Sequence, residues 1–159
     1  MGYGCVEGIC RRTWRICMSE INSFFIAGEV QAKQRPKFNG RFAYTPKETV
    51  SYENLVKLQY QEQCGNYRYP DDVPLIVAIF AHIEPPQSAS NIKKTRMLNQ
   101  VEYPLKKPDV DNVAKIILDA LNGIAYRDDK QVVTLIVKKS YAGESGVGVT
   151  ISEVEAKNE

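Results

Sequence analysis

The stretch from Val110 to Leu121 constrains the fold of this chain most, because its apolar residues recur every three or four positions. That spacing puts them on one stripe of an α-helix and leaves polar residues on the opposite stripe. Pro108 precedes the stretch and Gly123 follows it, and such residues mark the two ends of a helix. The stretch therefore predicts an amphipathic helix. Its polar stripe consists of Asp111, Lys115, Asp119 and Asn122.

The segments on either side of this helix predict an α+β fold. A second helical pattern lies between Thr49 and Gln63. β-prone runs cover Ile21 to Val30, Val73 to Ile83, Val132 to Lys138 and Val147 to Ile151. We expect a small mixed sheet of about four strands with two main helices, in which the last two strands form a hairpin. With 159 residues, of which 43% are hydrophobic, the chain suits one domain with a core.

The two ends of the chain differ from this domain. Residues 1–17 lack helical or strand periodicity, so we expect a disordered or non-native extension with Met18 as the natural start. The domain is then expected over residues 18–154, with a frayed tail over 155–159. An alternative is a zinc site made by Cys5, Cys10 and Cys17. It lacks a nearby fourth ligand and the short paired spacings typical of such sites.

No apolar run in the sequence is long enough to cross a bilayer, and nothing resembles a secretion signal. We therefore expect a cytoplasmic protein with reduced thiols and no membrane partner.

Charge is unevenly distributed along the chain, although the formal net charge is only +2. Residues 31–47 and 93–107 are strongly basic, whereas residues 109–129 are acidic. An acidic centre between basic segments is typical of a protein that binds a polyanion and holds a divalent cation against it. Residues 31–45 are predicted to form a basic loop.

Asp109 and Asp111 form the centre of the acidic region. Inside one helix these side chains would point about 200° apart. They can converge if Asp109 lies at the N-cap, where Pro108 favours an extended backbone and the carboxylate can accept first-turn amides. Lys115 lies one turn after Asp111 on the same stripe. A surface ion pair beside a capping aspartate remains the alternative interpretation.

A third carboxylate is available after the helix, in the turn that contains Asp128 and Asp129. Carboxylate oxygens suit Mg²⁺, which keeps waters and lets a substrate phosphate complete its coordination. A nearby lysine can stabilise charge that develops on a phosphate. The combination predicts metal-dependent phosphodiester hydrolysis, although each pair of residues alone is also an ordinary cap or turn.

The whole segment, KPDVDNVAKIILDALNGIAYRDDKQ from Lys107 to Gln131, resembles the RusA family of Holliday-junction resolvases. The similarity extends over about Phe24 to Ile151, including the basic KQRP stretch that begins at Lys33. The resemblance implies a RusA-like α+β homodimer that cuts four-way junctions symmetrically with Mg²⁺ or Mn²⁺. It implies a catalytic set made of Asp109, Asp111, Lys115 and Asp129, in which the three aspartates bind the metal.

A four-way junction has two equivalent scissile phosphates, and one such domain has one acidic centre, so a two-fold dimer is the simplest way to cut both strands. Basic residues from the two basic segments are then expected to contact DNA phosphates. They are Lys33, Arg35, Lys37, Lys93, Lys94, Arg96 and Lys107. We expect residues 93–100 to become fully ordered only on DNA.

Two other functions are compatible with the same residues. One is an inactive, structure-selective protein that binds branched DNA, against which the retained acidic residues argue. The other is a small phosphohydrolase with an aspartyl nucleophile. Such enzymes usually carry that aspartate at the end of a parallel strand, whereas a proline and a helix surround the Asp-x-Asp pair here.

Overall fold

A four-stranded mixed sheet and three helices organise residues 21–154, which are the residues that the computed structural model describes. The sheet contains β1 (Ile21–Ala27), β4 (Leu75–Ile83), β5 (Val132–Tyr141) and β6 (Gly146–Glu153). A separate two-stranded ribbon contains β2 (Lys37–Asn39) and β3 (Phe42–Tyr44). The helices are α1 (Lys47–Cys64), α2 (Asn91–Leu98) and α3 (Val110–Leu121). The predicted α+β fold with a mixed sheet of four strands is confirmed.

The expectations for residues 1–17, for Met18, for a zinc site at Cys5, Cys10 and Cys17, and for the tail 155–159 fall outside the described residues. Within residues 21–154, no helix is long and apolar enough to span a membrane.

The strand order is β1-β6-β4-β5, so the predicted hairpin between the last two strands is wrong. β6 pairs antiparallel with both β1 and β4, and β5 pairs parallel with the other edge of β4. The turn after β5 crosses the end of β4, where the Ala142 amide donates to the Ile83 carbonyl at 3.0 Å. The turn predicted between these two strands is present, but β5 and β6 do not pair, because β4 lies between them in the sheet.

Helices α1 and α3 were predicted, whereas α2 and the β2–β3 ribbon were not. The stretch expected to order only on DNA is folded as α2, with the Lys93 amide donating to the Ser90 hydroxyl at 3.4 Å and Met97 buried. The loop expected over residues 31–45 contains the ribbon. Both elements are short, so their side-chain periodicity was too brief to recognise.

The core lies between the sheet and the two long helices. α1 packs against β1 and α3, and α3 packs against β5. The apolar stripe of α3 supplies Ile116, Ile117 and Leu121, none of which has any exposed surface. A fully buried isoleucine or leucine contributes about 1.5–3 kcal/mol. This packing fixes α3 on the sheet, so the position of its first turn is set by the core.

Candidate active site

The first turn of α3 presents the acidic pair. Asp109 is the N-cap residue, with the extended backbone angles φ −78° and ψ 141°, and its carbonyl accepts the Val113 amide at 3.0 Å. Its carboxylate makes no capping hydrogen bond. The predicted position is therefore confirmed, but the predicted capping role of the side chain is wrong. Because the helix does not use this exposed carboxylate, its oxygens are available to a ligand.

Asp111 and Lys115 follow on the exposed side of the same helix. Within residues 21–154, neither side chain takes part in a salt bridge. The alternative of an Asp111–Lys115 ion pair is therefore not observed. Two carboxylates and an ammonium group are exposed on the first two turns of α3 without a structural use for their charges.

A cleft of about 470 Å³ lies beside the N-cap residue. One wall is the segment that follows β1, including Arg35, and the other wall contains Lys107, Asp109 and Asn112. The Lys33 amide donates to the Asn112 carbonyl at 3.0 Å, which joins the two walls. The cleft thus combines three basic residues, Lys33, Arg35 and Lys107, with the unused Asp109 carboxylate. Such an arrangement suits a phosphate held near a cation.

Lys33 has a different environment from the other predicted phosphate ligands. Its ammonium group contacts the Glu53 carboxylate of α1 and, at 2.9 Å, Asp119 Oδ2 of α3. Partial burial lowers the pKa of Lys33, but the hydrogen bonds to Glu53 and Asp119 outweigh this and raise it above the ordinary value. Lys33 therefore ties the basic segment to both helices, and its contact with phosphate stays a prediction.

Replacing Lys33 with methionine should lower the free energy of unfolding by about 1–3 kcal/mol, because two carboxylates lose their shared cation. Urea unfolding at pH 7 would measure this. The control of unchanged stability is Lys47→Met, at the exposed first residue of α1, which has no salt bridge within residues 21–154. The raised pKa means that the stabilisation is complete below pH 10.5 and lost as the pH rises through the folded-state pKa. Equal stabilities of the Lys33 variant and the unmodified protein would contradict the ion triad.

The remaining predicted phosphate ligands are exposed or half-buried and lie outside the cleft lining. Lys37 is on β2, and Lys93, Lys94 and Arg96 are on α2. Arg96 Nε donates to Glu102 Oε1 at 2.9 Å, and this pair is on the surface. Of the predicted phosphate ligands, Lys33, Arg35 and Lys107 line the same cleft as Asp109. Phosphate contacts of all seven residues stay predictions.

The third predicted carboxylate belongs to a separate turn. Asp128 accepts the Lys130 amide at 3.0 Å and so caps a single 3-10 turn, Asp129–Gln131, that leads into β5. This hydrogen bond is the main cause of the lowered pKa of Asp128. Within residues 21–154, no three His, Cys, Asp or Glu side chains gather in a group that could hold a metal. The joint role of Asp109, Asp111 and Asp129 stays a prediction.

Lys139 is a residue of this site that the sequence reasoning missed. From β5, its ammonium group donates to the Lys106 carbonyl at 2.7 Å and to the Pro108 carbonyl at 3.0 Å. It thereby holds the chain that leads into Asp109. The sequence contained a signal for this role. Leu135, Val137 and Lys139 are two positions apart and so lie on one face of the strand, and a lysine in such an apolar series needs a polar partner.

The donor set is compatible with a magnesium or manganese ion. Asp109 and Asp111, which are separated by one residue, offer hard oxygen ligands, and the Asp109 carboxylate makes no helix-capping hydrogen bond. Mg²⁺ is commonly bound by one or two protein carboxylates, with waters and substrate phosphate completing the octahedron. The exposed position of both side chains leaves room for those further ligands.

Known proteins are similar to this chain over most of its length. The family profile described as "Endodeoxyribonuclease RusA" matches residues 27–152, which include β2 to β5 and nearly all of β6. Among curated proteins, the chain is similar to "Uncharacterized protein YqaN" of Bacillus subtilis (strain 168), with 34% identity over 138 residues. The aligned region covers 84% of this chain and 96% of that protein.

Proposed function

Because the chain belongs to the RusA family of endodeoxyribonucleases, we propose that it resolves Holliday junctions in DNA recombination and repair. It would do so as a homodimer, by paired and symmetric phosphodiester hydrolysis that depends on Mg²⁺ or Mn²⁺. One observation carries the proposal. The start of α3 exposes three charged side chains, Asp109, Asp111 and Lys115. The Asp109 carboxylate makes no capping hydrogen bond, and none of the three side chains forms a salt bridge within residues 21–154.

Asp109 and Asp111 would hold the metal, with Asp129 as the third carboxylate. Bound there, a divalent cation would lower the pKa of a water molecule and offset charge on the scissile phosphate. The Lys115 ammonium group, one helical turn from Asp111, would stabilise the charge that grows on the phosphate oxygens. α3 is a rigid element packed on the sheet, so its residues are held in place before the substrate binds.

DNA would enter along the cleft, where Arg35 and Lys107 can contact phosphates on either side of the scissile bond. Lys37, Lys93, Lys94 and Arg96 would contact phosphates further away. Contacts to phosphates do not read the bases, so they would select DNA by its shape and not by its sequence. Selectivity for branched DNA would follow from the spacing of two such surfaces in a dimer.

The direct test is incubation of the purified protein with a synthetic four-way junction and with a linear duplex of matching sequence. We expect cleavage of the junction in Mg²⁺ or Mn²⁺, no cleavage in EDTA, and little cleavage of the duplex. Tight binding of the junction without cleavage in either metal would instead favour an inactive protein that recognises branched DNA. Hydrolysis of small phosphate esters without junction cleavage would favour a phosphohydrolase.

Replacing Lys139 with methionine should raise the Mg²⁺ concentration needed for half-maximal cleavage by about tenfold, because two backbone carbonyls next to Asp109 lose their donor. Affinity for the junction in EDTA should stay within about twofold, since the side chain is directed to the protein itself. Metal titrations of cleavage would measure this. The control is Lys138→Met, which removes a surface bond to Gln100. Identical metal dependence of the two variants would contradict a positioning role.

A further inference from the structure

The outer edge of β5 has no partner strand in the described part of the chain. β5 pairs with β4 along one side only, and no backbone hydrogen bond within residues 21–154 joins its other side to another segment. Val133, Leu135 and Ile136 are 61%, 44% and 48% exposed, although neighbouring residues of a strand face opposite sides of the sheet. A ten-residue edge with apolar side chains on both faces favours pairing with another strand.

Asp109 and Asp129 lie far apart within one chain, as both α3 and β5 show. Asp109 begins α3 and Asp129 follows its end, and twelve helical residues span about 18 Å. The path of β5 shows the same separation. The 3-10 turn that contains Asp129 precedes the start of β5, while Lys139, near the end of β5, contacts the Pro108 carbonyl. The seven steps from Val132 to Lys139 span about 23 Å. Within one chain, Asp129 is therefore at the far end of β5 from Asp109.

We propose that β5 pairs antiparallel with β5 of a second copy of this chain, and that the partner subunit's Asp129 completes the metal site begun by Asp109 and Asp111. The inference rests on the proposed function, since it names the origin of the third carboxylate. In an antiparallel pair of identical strands, the start of each strand lies beside the end of the other. Such pairing brings the partner's acidic turn to the end of β5 where Lys139 holds the Asp109 segment.

Charge and symmetry favour a second copy as the occupant of this edge. Asp128 is paired with Lys130 of its own turn at 3.5 Å, which leaves Asp129 as the carboxylate there without a salt bridge within residues 21–154. The partner's Asp129 would approach Lys106 and Lys107, which are both exposed. Attraction between these turns fixes the antiparallel orientation, because a parallel pairing would bring like charges together. The interface uses the same strand in both copies, so it closes as a two-fold dimer with two composite sites.

Mixing two inactive variants tests whether the site is shared. Asp111→Asn and Asp129→Asn would be co-expressed with different affinity tags, and dimers that carry both tags would be isolated. Each mixed dimer would contain one site with all three aspartates and one site that lacks two of them. We expect nicking of a four-way junction at one strand, whereas each variant alone is inactive. Unselected mixtures should reach about a quarter of the normal number of active sites.

Absence of nicking by verified mixed dimers, beside normal cleavage by the unmodified protein, would overturn the shared site and leave the proposed function intact. Failure of the unmodified protein to cut any junction would instead overturn the proposed function. The shared site would then be decided by Mn²⁺ binding, measured by electron paramagnetic resonance. We expect the mixed dimer to bind more Mn²⁺ than either variant alone, and equal weak binding would overturn the inference.

A variant of the strand edge provides a second, independent measurement. Ile136→Glu places charges on the proposed interface and keeps all three aspartates, so it should be monomeric by light scattering and bind Mn²⁺ at least about tenfold more weakly. Leu58→Glu is the matched control, because Leu58 is 49% exposed on α1, away from β5. It should remain dimeric with unchanged Mn²⁺ affinity. A dimeric Ile136→Glu variant with full Mn²⁺ affinity would contradict the proposed interface.

Discussion

Asp111→Asn should lower the rate of junction cleavage by at least about a thousandfold while leaving junction binding intact. The substitution keeps the size of the side chain but removes the negative charge that a divalent cation requires. Folding should be unaffected, since Asp111 is exposed and has no salt bridge within residues 21–154. Single-turnover cleavage of a four-way junction in Mg²⁺, combined with a gel-shift measurement in EDTA, separates the two effects.

Asp72→Asn is the matched control for this result. Asp72 is also an exposed aspartate, but it lines a different surface cavity, beside Pro74 and Lys130. Its amide variant should cut at the normal rate. Undiminished cleavage by Asp111→Asn would remove the acidic pair from the chemistry, even if the protein proved to be a nuclease.

Ile117→Ala should lower the free energy of unfolding by about 2–5 kcal/mol. Ile117 is fully buried in the cluster where α3 meets α1 and the sheet, so truncation removes apolar contacts and leaves a cavity. Because the same helix carries Asp111 and Lys115, heat inactivation of cleavage should occur at a correspondingly lower temperature. Urea unfolding followed by circular dichroism would measure the change.

Leu58→Ala provides the comparison, since that side chain is half exposed on α1. Its effect should stay within about 0.5 kcal/mol. A similar small loss for Ile117→Ala would mean that α3 is not anchored by its apolar stripe, and the rigid placement of the acidic pair would lose its support.

Local patterns gave the helices and strands that most of the fold requires. The helix predicted over Val110–Leu121 has those bounds in the structure, because its stripe, its preceding proline and its following glycine all agree. The strand predicted over Val73 to Ile83 is observed as Leu75–Ile83. Short elements without a full period, such as α2, gave no comparable signal.

Strand order could not be obtained in the same way. β5 and β6 are consecutive and joined by a short turn, which is typical of a hairpin, yet β4 lies between them. The choice depends on which long-range pairing buries more apolar surface. Here β5 pairs parallel with β4, and α3, which precedes β5 in the chain, packs against β5. A window of neighbouring residues contains no information on that competition.

The site shows the same division between local and long-range information. Pro108 correctly indicated that Asp109 is the N-cap, and the helical repeat correctly indicated that Asp111 and Lys115 are on the exposed face. It could not reveal that Lys33 is held by carboxylates from two helices, or that Lys139 supports the chain before Asp109. Both contacts join residues at least 20 positions apart in sequence. Their partners depend on the packing of the whole domain.

The most direct test of the central claim, paired metal-dependent cleavage at a four-way junction, uses a supercoiled plasmid with an extruded cruciform. Two cuts within one binding event convert this plasmid to a linear product, whereas a single cut relaxes it and the cruciform is reabsorbed. We predict linear plasmid in Mg²⁺ or Mn²⁺, with both cuts symmetrically placed at the base of the cruciform. A plasmid that is bound but remains supercoiled in both metals would contradict the account.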